Sequence, residues 1–295
     1  MLVITTPTGQ IGRQVLALLL DHQDRIRVIV RDPIRLDSGV RSRVEIVQGS
    51  HDDPAVLSRA LDGADGLFWL IPPGVAGAST EERYLGFARP AADAIRQRGV
   101  PHVVGVSSAG HGWPTRAGVL SAAFAMDTEI ERTGTAYRAL SMPFYMENLL
   151  AQLGAIREQG TFSLAYAADR PLASVATRDI AVTAAALLAD RSWAGQEHVP
   201  VFGPDRISPN AMAALMSEVL GRTVTFRQLS VTDVKSALTQ RGASEGVVRD
   251  MIETIAAVSD GIYDADQARA IPGSTDFRTW CREVLRPAAR GLIDV

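Results

Sequence analysis

The opening of the chain constrains its fold more than any other stretch. Leu2–Thr5 is an apolar run of strand length. The turn Thr6-Pro7-Thr8-Gly9-Gln10-Ile11-Gly12 follows at once, and Ile11–Leu20 carries apolar residues at helical spacing. A strand that passes through a glycine-bearing turn straight into a helix begins a β-α-β unit. The rest of the first half keeps that alternation. Ile26–Val30, Val44–Val47, Gly66–Ile71, His102–Val106 and Thr135–Leu140 read as strands. Pro54–Leu61, Glu81–Arg98 and Ser121–Thr133 read as helices, with Pro54 suited to a first turn and Gly99 and Pro101 acting as stops. Nearly continuous apolar strands are covered on both faces, so the expected fold is α/β, a doubly wound parallel sheet. Ligands in such sheets lie beyond the carboxyl ends of the strands.

The second half is less regular. Thr177–Ala189 reads as a helix with Thr177 as its cap, Glu197–Phe202 as a strand, and Ser208–Leu220 as a helix capped by Ser208 and stopped by Gly221. A strand over Thr223–Arg227 and helices over Val231–Gln240, Ser244–Val258 and Ser274–Leu285 complete the chain before Pro287.

Composition removes several classes of function. The 295 residues include 30 Lys+Arg against 33 Asp+Glu, a net charge of −3, so no basic excess exists to neutralise a nucleic-acid backbone. The single Cys281 excludes an intrachain disulfide and any multi-cysteine metal centre. No apolar run reaches membrane-spanning length, and Met1 leads directly into a strand rather than a leader. A cytoplasmic chain acting on a small molecule is expected, with no nucleic acid, no membrane partner, and assembly as a homodimer left open. Lys235 is the only lysine, so any mechanism that needs one must use it.

The first turn has the makings of a phosphate site. A helix N-terminus offers free N–H groups and the positive end of its dipole. Gly9 and Gly12 would admit a pyrophosphate and allow close strand–helix packing. After the second strand come Arg31 and Asp32, with Arg35 nearby. A guanidinium there favours a 2′-phosphate, so NADP(H) is favoured over NAD(H); Asp32 keeps NAD(H) open.

At this point the chain resembles the NmrA-like atypical short-chain dehydrogenases/reductases. The likeness is carried by Val3–Gly12, Val30-Arg31-Asp32, Val47-Gln48-Gly49, Phe68–Pro73, Val106-Ser107-Ser108, Pro143–Leu149 and Arg178-Asp179-Ile180-Ala181. The resemblance implies a Rossmann domain over 1–145, to which 173–202 returns. It implies a smaller α+β substrate domain from 146–172 and 203–295. It places dinucleotide contacts on Thr6, Thr8, Gly9, Gln10, Ile11, Gly12, Arg31, Ser50, Pro72, Pro73, Ser107 and Pro143. Trp113, Phe144, Tyr145 and Tyr166 would line the substrate pocket. Two positions depart from the family pattern: Thr6 stands where the first loop glycine belongs, and Ser50 where an acidic residue is common.

The chemistry departs further. None of Tyr84, Tyr137, Tyr145, Tyr166 and Tyr263 is followed four residues later by lysine, so the Tyr-x-x-x-Lys proton donor is missing. Ser107, Ser108, His111 and Tyr145 are the candidate catalytic groups, with Tyr137 as a further helper. His111, in Gly110-His111-Gly112-Trp113, has a plainer role as an exposed loop histidine. The five histidines show no metal-binding spacing. An NADPH-dependent reductase is therefore expected, delivering hydride to a small apolar or aromatic C=N, C=C, C=O or quinone substrate. The alternative is an NADP(H)-binding redox sensor that does not turn over.

Overall fold

Eight parallel strands form the main sheet of the computed structural model, which describes residues 1–292. The first half supplies β1 (Leu2–Ile4), α1 (Gln10–Leu19), β2 (Ile26–Val30), α2 (Ser38–Arg41), β3 (Glu45–Gln48), α3 (Pro54–Ala60), β4 (Gly66–Trp69), α4 (Thr80–Arg98), β5 (His102–Ser108), α5 (Val119–Glu131) and β6 (Ala136–Met142). The second half supplies β7 (Phe144–Tyr145), α6 (Leu153–Gln159), β8 (Thr161–Leu164), β9 (Leu172–Val175), α7 (Thr177–Ala189), β10 (Gln196–Phe202) and β11 (Arg206–Ile207). It ends with α8 (Pro209–Leu220), β12 (Thr225–Gln228), α9 (Val231–Gln240), α10 (Glu245–Ser259), α11 (Asp264–Gln267), β13 (Ile271–Pro272), α12 (Phe277–Trp280) and α13 (Arg286–Ala289).

The strand order β13-β10-β6-β5-β4-β1-β2-β3 places β1 and β4 side by side, so the direction of winding reverses between them. A crevice opens at that switch point, beyond the carboxyl ends of the strands. Thr5 ties the two strands there, its hydroxyl donating to Phe68 O and accepting from Leu70 N at 2.9 Å. Leu2, Ile4 and Val28 face α1 and α7, while Val3, Leu67 and Val103 face α3, α4 and α5. Trp69 and Phe68 are fully buried, and each such side chain contributes about 1.5–3 kcal/mol of transfer free energy.

The second half differs from the expected division in two places. β9, expected to return to the main sheet, pairs instead with β7 and β11 in a separate three-stranded sheet. The chain rejoins the main domain only at α7, which packs on α1, and at β10 beside β6. In the other direction, β13 leaves the expected substrate segment and adds an edge strand beside β10. The last three residues of that 203–295 segment lie outside the described residues.

Capping explains several boundaries. Ser208 accepts from Ala211 N, Pro209 follows, and Gly221 closes α8 in the left-handed region. Thr177, expected as a cap, lies inside α7; the N-cap is Ala176, and the buried Glu147 carboxylate accepts the Thr177 N–H at 2.9 Å. Ser121 does not open α5, whose first turn begins at Gly118 (φ 56°). The final helix does not stop before Pro287: a π-turn over Cys281–Leu285 leads into α13, where the missing proline N–H falls in the first turn. No helix among the described residues is long and apolar enough to cross a membrane.

Candidate active site

The turn after β1 is shaped by crowding. A Cβ on Gly12 would lie 2.1 Å from the Thr6 carbonyl oxygen, so only glycine fits there. Gly9 is less confined, its nearest neighbour being 3.4 Å away. Thr6 adopts φ 49° and is the only non-glycine residue at positive φ among the described residues. Its Oγ1 is buried without a partner. Gly9 caps α1 with no side-chain acceptor, so the first-turn N–H groups at Gln10, Ile11 and Gly12 face an uncapped helix end. Gln14 anchors the helix to α7 through Thr177 Oγ1 at 2.9 Å. A pyrophosphate fits this cradle: it needs the close approach that Gly12 keeps open and supplies acceptors for the orphan donors.

At the end of β2 the two candidate residues divide. Asp32 Oδ1 accepts from the Ile34 N–H at 3.1 Å and caps the following turn. Arg31 is exposed and forms no ion pair among the described residues. After β3, Gly49 is pressed against Val56, and Ser50 and His51 follow. His51 lies beneath this end of the sheet. Its ring packs on Trp69 and Phe87, and Nε2 lies 3.1 Å from Leu70 O. Burial holds its pKa down to about 4, so the ring is neutral.

Pro72 and Pro73 extend from β4. Arg83, on α4, donates to Pro72 O at 2.5 Å and sits over the Phe87 ring. Its guanidinium fills the space beside Gly74, so a single α4 side chain fixes the whole Pro72–Gly74 segment. Sequence reasoning did not find Arg83 or His51, because each acts on a backbone carbonyl outside its own element.

Adjacent residues of β5 face opposite sides. The Ser107 hydroxyl donates to the fully buried Asp127 of α5, whose other oxygen accepts from Tyr137 at 2.6 Å. Burial raises the Asp127 carboxyl to about 7 and holds the Tyr137 phenol protonated. Ser107 and Tyr137 thus both donate to Asp127 under α5. Ser108 faces the other way: its hydroxyl donates to Ala109 O at 3.2 Å, and it lies near Tyr263, in the turn between α10 and α11. Tyr145 and Tyr166 lie near enough to Tyr263 to disfavour its ionisation, and Tyr84 does the same to Tyr145. Tyr145, Tyr166 and Tyr263 therefore lie near one another, with Tyr84 beside Tyr145. Burial raises all four phenols, Tyr166 to about 12. Trp113 and Phe144 are half-buried against the neighbouring apolar core, and Pro143 is buried at the end of β6.

His111 points elsewhere. Its ring packs on Phe124 of α5 at 4.8 Å and on His198 of β10 at 3.9 Å. Lys235 is exposed on α9.

The annex is fastened over this mouth by buried carboxylates. Asp250 accepts from Thr80 N and Arg116, and Asp266 accepts from Gly110 N at 2.7 Å. Asp179 accepts from both Thr275 N and Oγ1, holding the segment beside β13.

The NmrA-like family profile matches residues 1–275. A (4-alkanoyl-5-oxo-2,5-dihydrofuran-3-yl)methyl phosphate reductase of Streptomyces griseus is 32% identical over 81% of this chain and 80% of its own. An NAD(P)H azoreductase of Xenophilus azovorans is 26% identical over 93% of each chain. The structure of an NADPH-dependent quinone oxidoreductase from Escherichia coli, complexed with NADPH, superposes with a TM-score of 0.78 at 24% identity, covering 99% of both chains.

Proposed function

The chain belongs to the NmrA-like family, and on that premise we propose that it is an NADPH-dependent reductase of small, apolar or aromatic acceptors. The observation that carries the reading is the exposed Arg31 guanidinium directly after β2, unpaired among the described residues. Asp32 uses Oδ1 to cap the following turn through the Ile34 N–H, while its Oδ2 accepts from no protein donor among the described residues. Arg31 next to it has no carboxylate partner among the described residues and suits a 2′-phosphate.

The bound dinucleotide would supply the hydride. The remaining tasks fall to this chain's own side chains. The Gln10–Gly12 N–H groups would hold the pyrophosphate, and Arg31 the adenosine end. Pro72 and Pro73, fixed by Arg83, would form the rail along the crevice. Ser108 and Tyr263 would meet the acceptor atom that gains charge. A buried phenol that stays protonated at neutral pH works there as a fixed hydrogen-bond donor rather than as a titrating acid. This arrangement needs no lysine. The three relatives are named for reducing different acceptors, which supports a class of conjugated acceptors (C=N, C=C, C=O or quinone) rather than one substrate.

The test is NADPH oxidation with a quinone, an azo dye and an enone. Turnover with at least one is expected. Tyr263→Phe should lower kcat by about 10- to 100-fold with little change in KM, since one transition-state donor is lost. NADPH binding without oxidation by any acceptor would contradict the reductase and favour a sensor.

A further inference from the structure

Three residues distant in sequence meet on the α5 side of the sheet, beside β6 and β10 and away from the β1–β4 crevice. His111, Asp127 and His198 each place one ligand atom within 4.8 Å of the other two. His198 Nε2 lies 3.0 Å from the Glu131 carboxylate. With Nε2 facing that acceptor, Nδ1 is the ring nitrogen left without a partner, and it is buried. A buried imidazole lone pair without a donor is an unmet demand for a proton or a cation.

The other two members complete a donor set. Asp127 is wholly buried, and its oxygens are oriented by Ser107 and Tyr137, each oxygen keeping a second lone pair. His111 is exposed, stands between Gly110 (φ 96°) and Gly112 (φ 86°), and is steadied by Phe124. The Glu131 and Asp266 carboxylates add negative field around it, and Arg269 offsets part of that. Asp127 and His198 thus have hydrogen-bonding outer partners, as ligating carboxylates and histidines do in metal sites, while His111 is placed by ring packing alone.

We propose that His111, Asp127 and His198 bind a borderline divalent transition ion, of the Zn²⁺ kind, that pins the 109–118 loop to the α5 flank. Two imidazoles and one carboxylate are a Zn²⁺ donor set with an open fourth position for water. Ligand atoms on one tetrahedral ion lie roughly 3.4 Å apart, so the cluster closes by about 1 Å on binding. His111, on its glycine-flanked loop, is the member free to make that movement. The same loop donates Gly110 N–H to Asp266 and carries Trp113 against the annex core, so the ion stiffens the wall between sheet and annex. This inference stands independently of the dinucleotide reading.

The test uses the full chain, stripped with chelator and titrated with Zn²⁺ by calorimetry and with Co²⁺ by visible ligand-field absorption. One equivalent is expected to bind, with bands of a low-coordinate Co²⁺ site and a raised Tm. His111→Ala, a change on an exposed loop, should weaken binding by about 100-fold. His198→Ala should abolish the Co²⁺ bands, and His22→Ala should leave them unchanged. Absence of saturable binding in the parent chain, or full binding in His111→Ala, would overturn the proposal.

Discussion

Gly12 and Gly9 look alike in sequence, but only one of them is confined. Gly12→Ala must push the Thr6 carbonyl aside, so it should cost about 1–3 kcal/mol and abolish dinucleotide binding, read by denaturant melts and calorimetry. Gly9→Ala meets ordinary van der Waals distances and should leave both nearly intact. Thr6 carries the strain of the missing glycine. A β-branched residue in the left-handed region costs roughly 1–2 kcal/mol, so Thr6→Gly should raise stability by up to about 1 kcal/mol after glycine's own backbone entropy. Lys235→Arg, on the outer face of α9, should leave reductase activity unchanged; complete loss would show that lysine chemistry is needed. The loop glycines and Arg31 were legible in the sequence because their chemistry is local to one turn. Asp127 and Tyr263 were not, since each acquires its meaning from a partner on another element. His111 reads in the sequence as a candidate catalytic group or an exposed loop histidine, and its ring packing on His198 of β10 and Phe124 of α5 is a contact that no local spacing reveals.

Elements of the main sheet are readable wherever a strand is long enough to show a run and a helix long enough to show a period. The six strands of the first half therefore match their apolar runs closely, and α4 ends where Gly99 turns left-handed. The annex helices α8, α9 and α10 show their period too, but the shortest strands of the second half are too short for either signal. β7, β11 and β13 have two residues each and exist only through their pairing partners. Asp179 shows how such a piece is held. Its carboxylate accepts three hydrogen bonds from Ser274 and Thr275, next to β13. Asp179→Ala leaves those donors unsatisfied in a buried place and should cost about 2–4 kcal/mol. Hydrogen exchange at 271–276 should rise well before exchange in β5; equal protection of both segments in the variant would contradict this clamp.

The whole molecule is three apolar cores joined at one mouth: one on each face of the sheet and a third in the annex. Its stability should carry a recognisable acid limb. His51 titrates at about 4 when folded and at about 6.5 when unfolded. The unfolded chain binds more protons between those values, so the contribution is complete above pH 6.5 and disappears as pH falls through 4. The full effect is on the order of 3 kcal/mol. His51→Leu should flatten that part of the stability–pH curve; an unchanged slope would assign it to other groups. The central claim concerns the crevice at β1, β2 and β4, and one measurement tests it most directly. The four dinucleotides NADPH, NADP, NADH and NAD are titrated calorimetrically into the parent chain and into Arg31→Ala. The account predicts that NADPH binds far more tightly than NADH, and that Arg31→Ala weakens NADPH by about 10- to 100-fold while barely changing NADH. Equal losses for both would remove the 2′-phosphate assignment, and binding of none of the four by the parent chain would contradict the reductase itself.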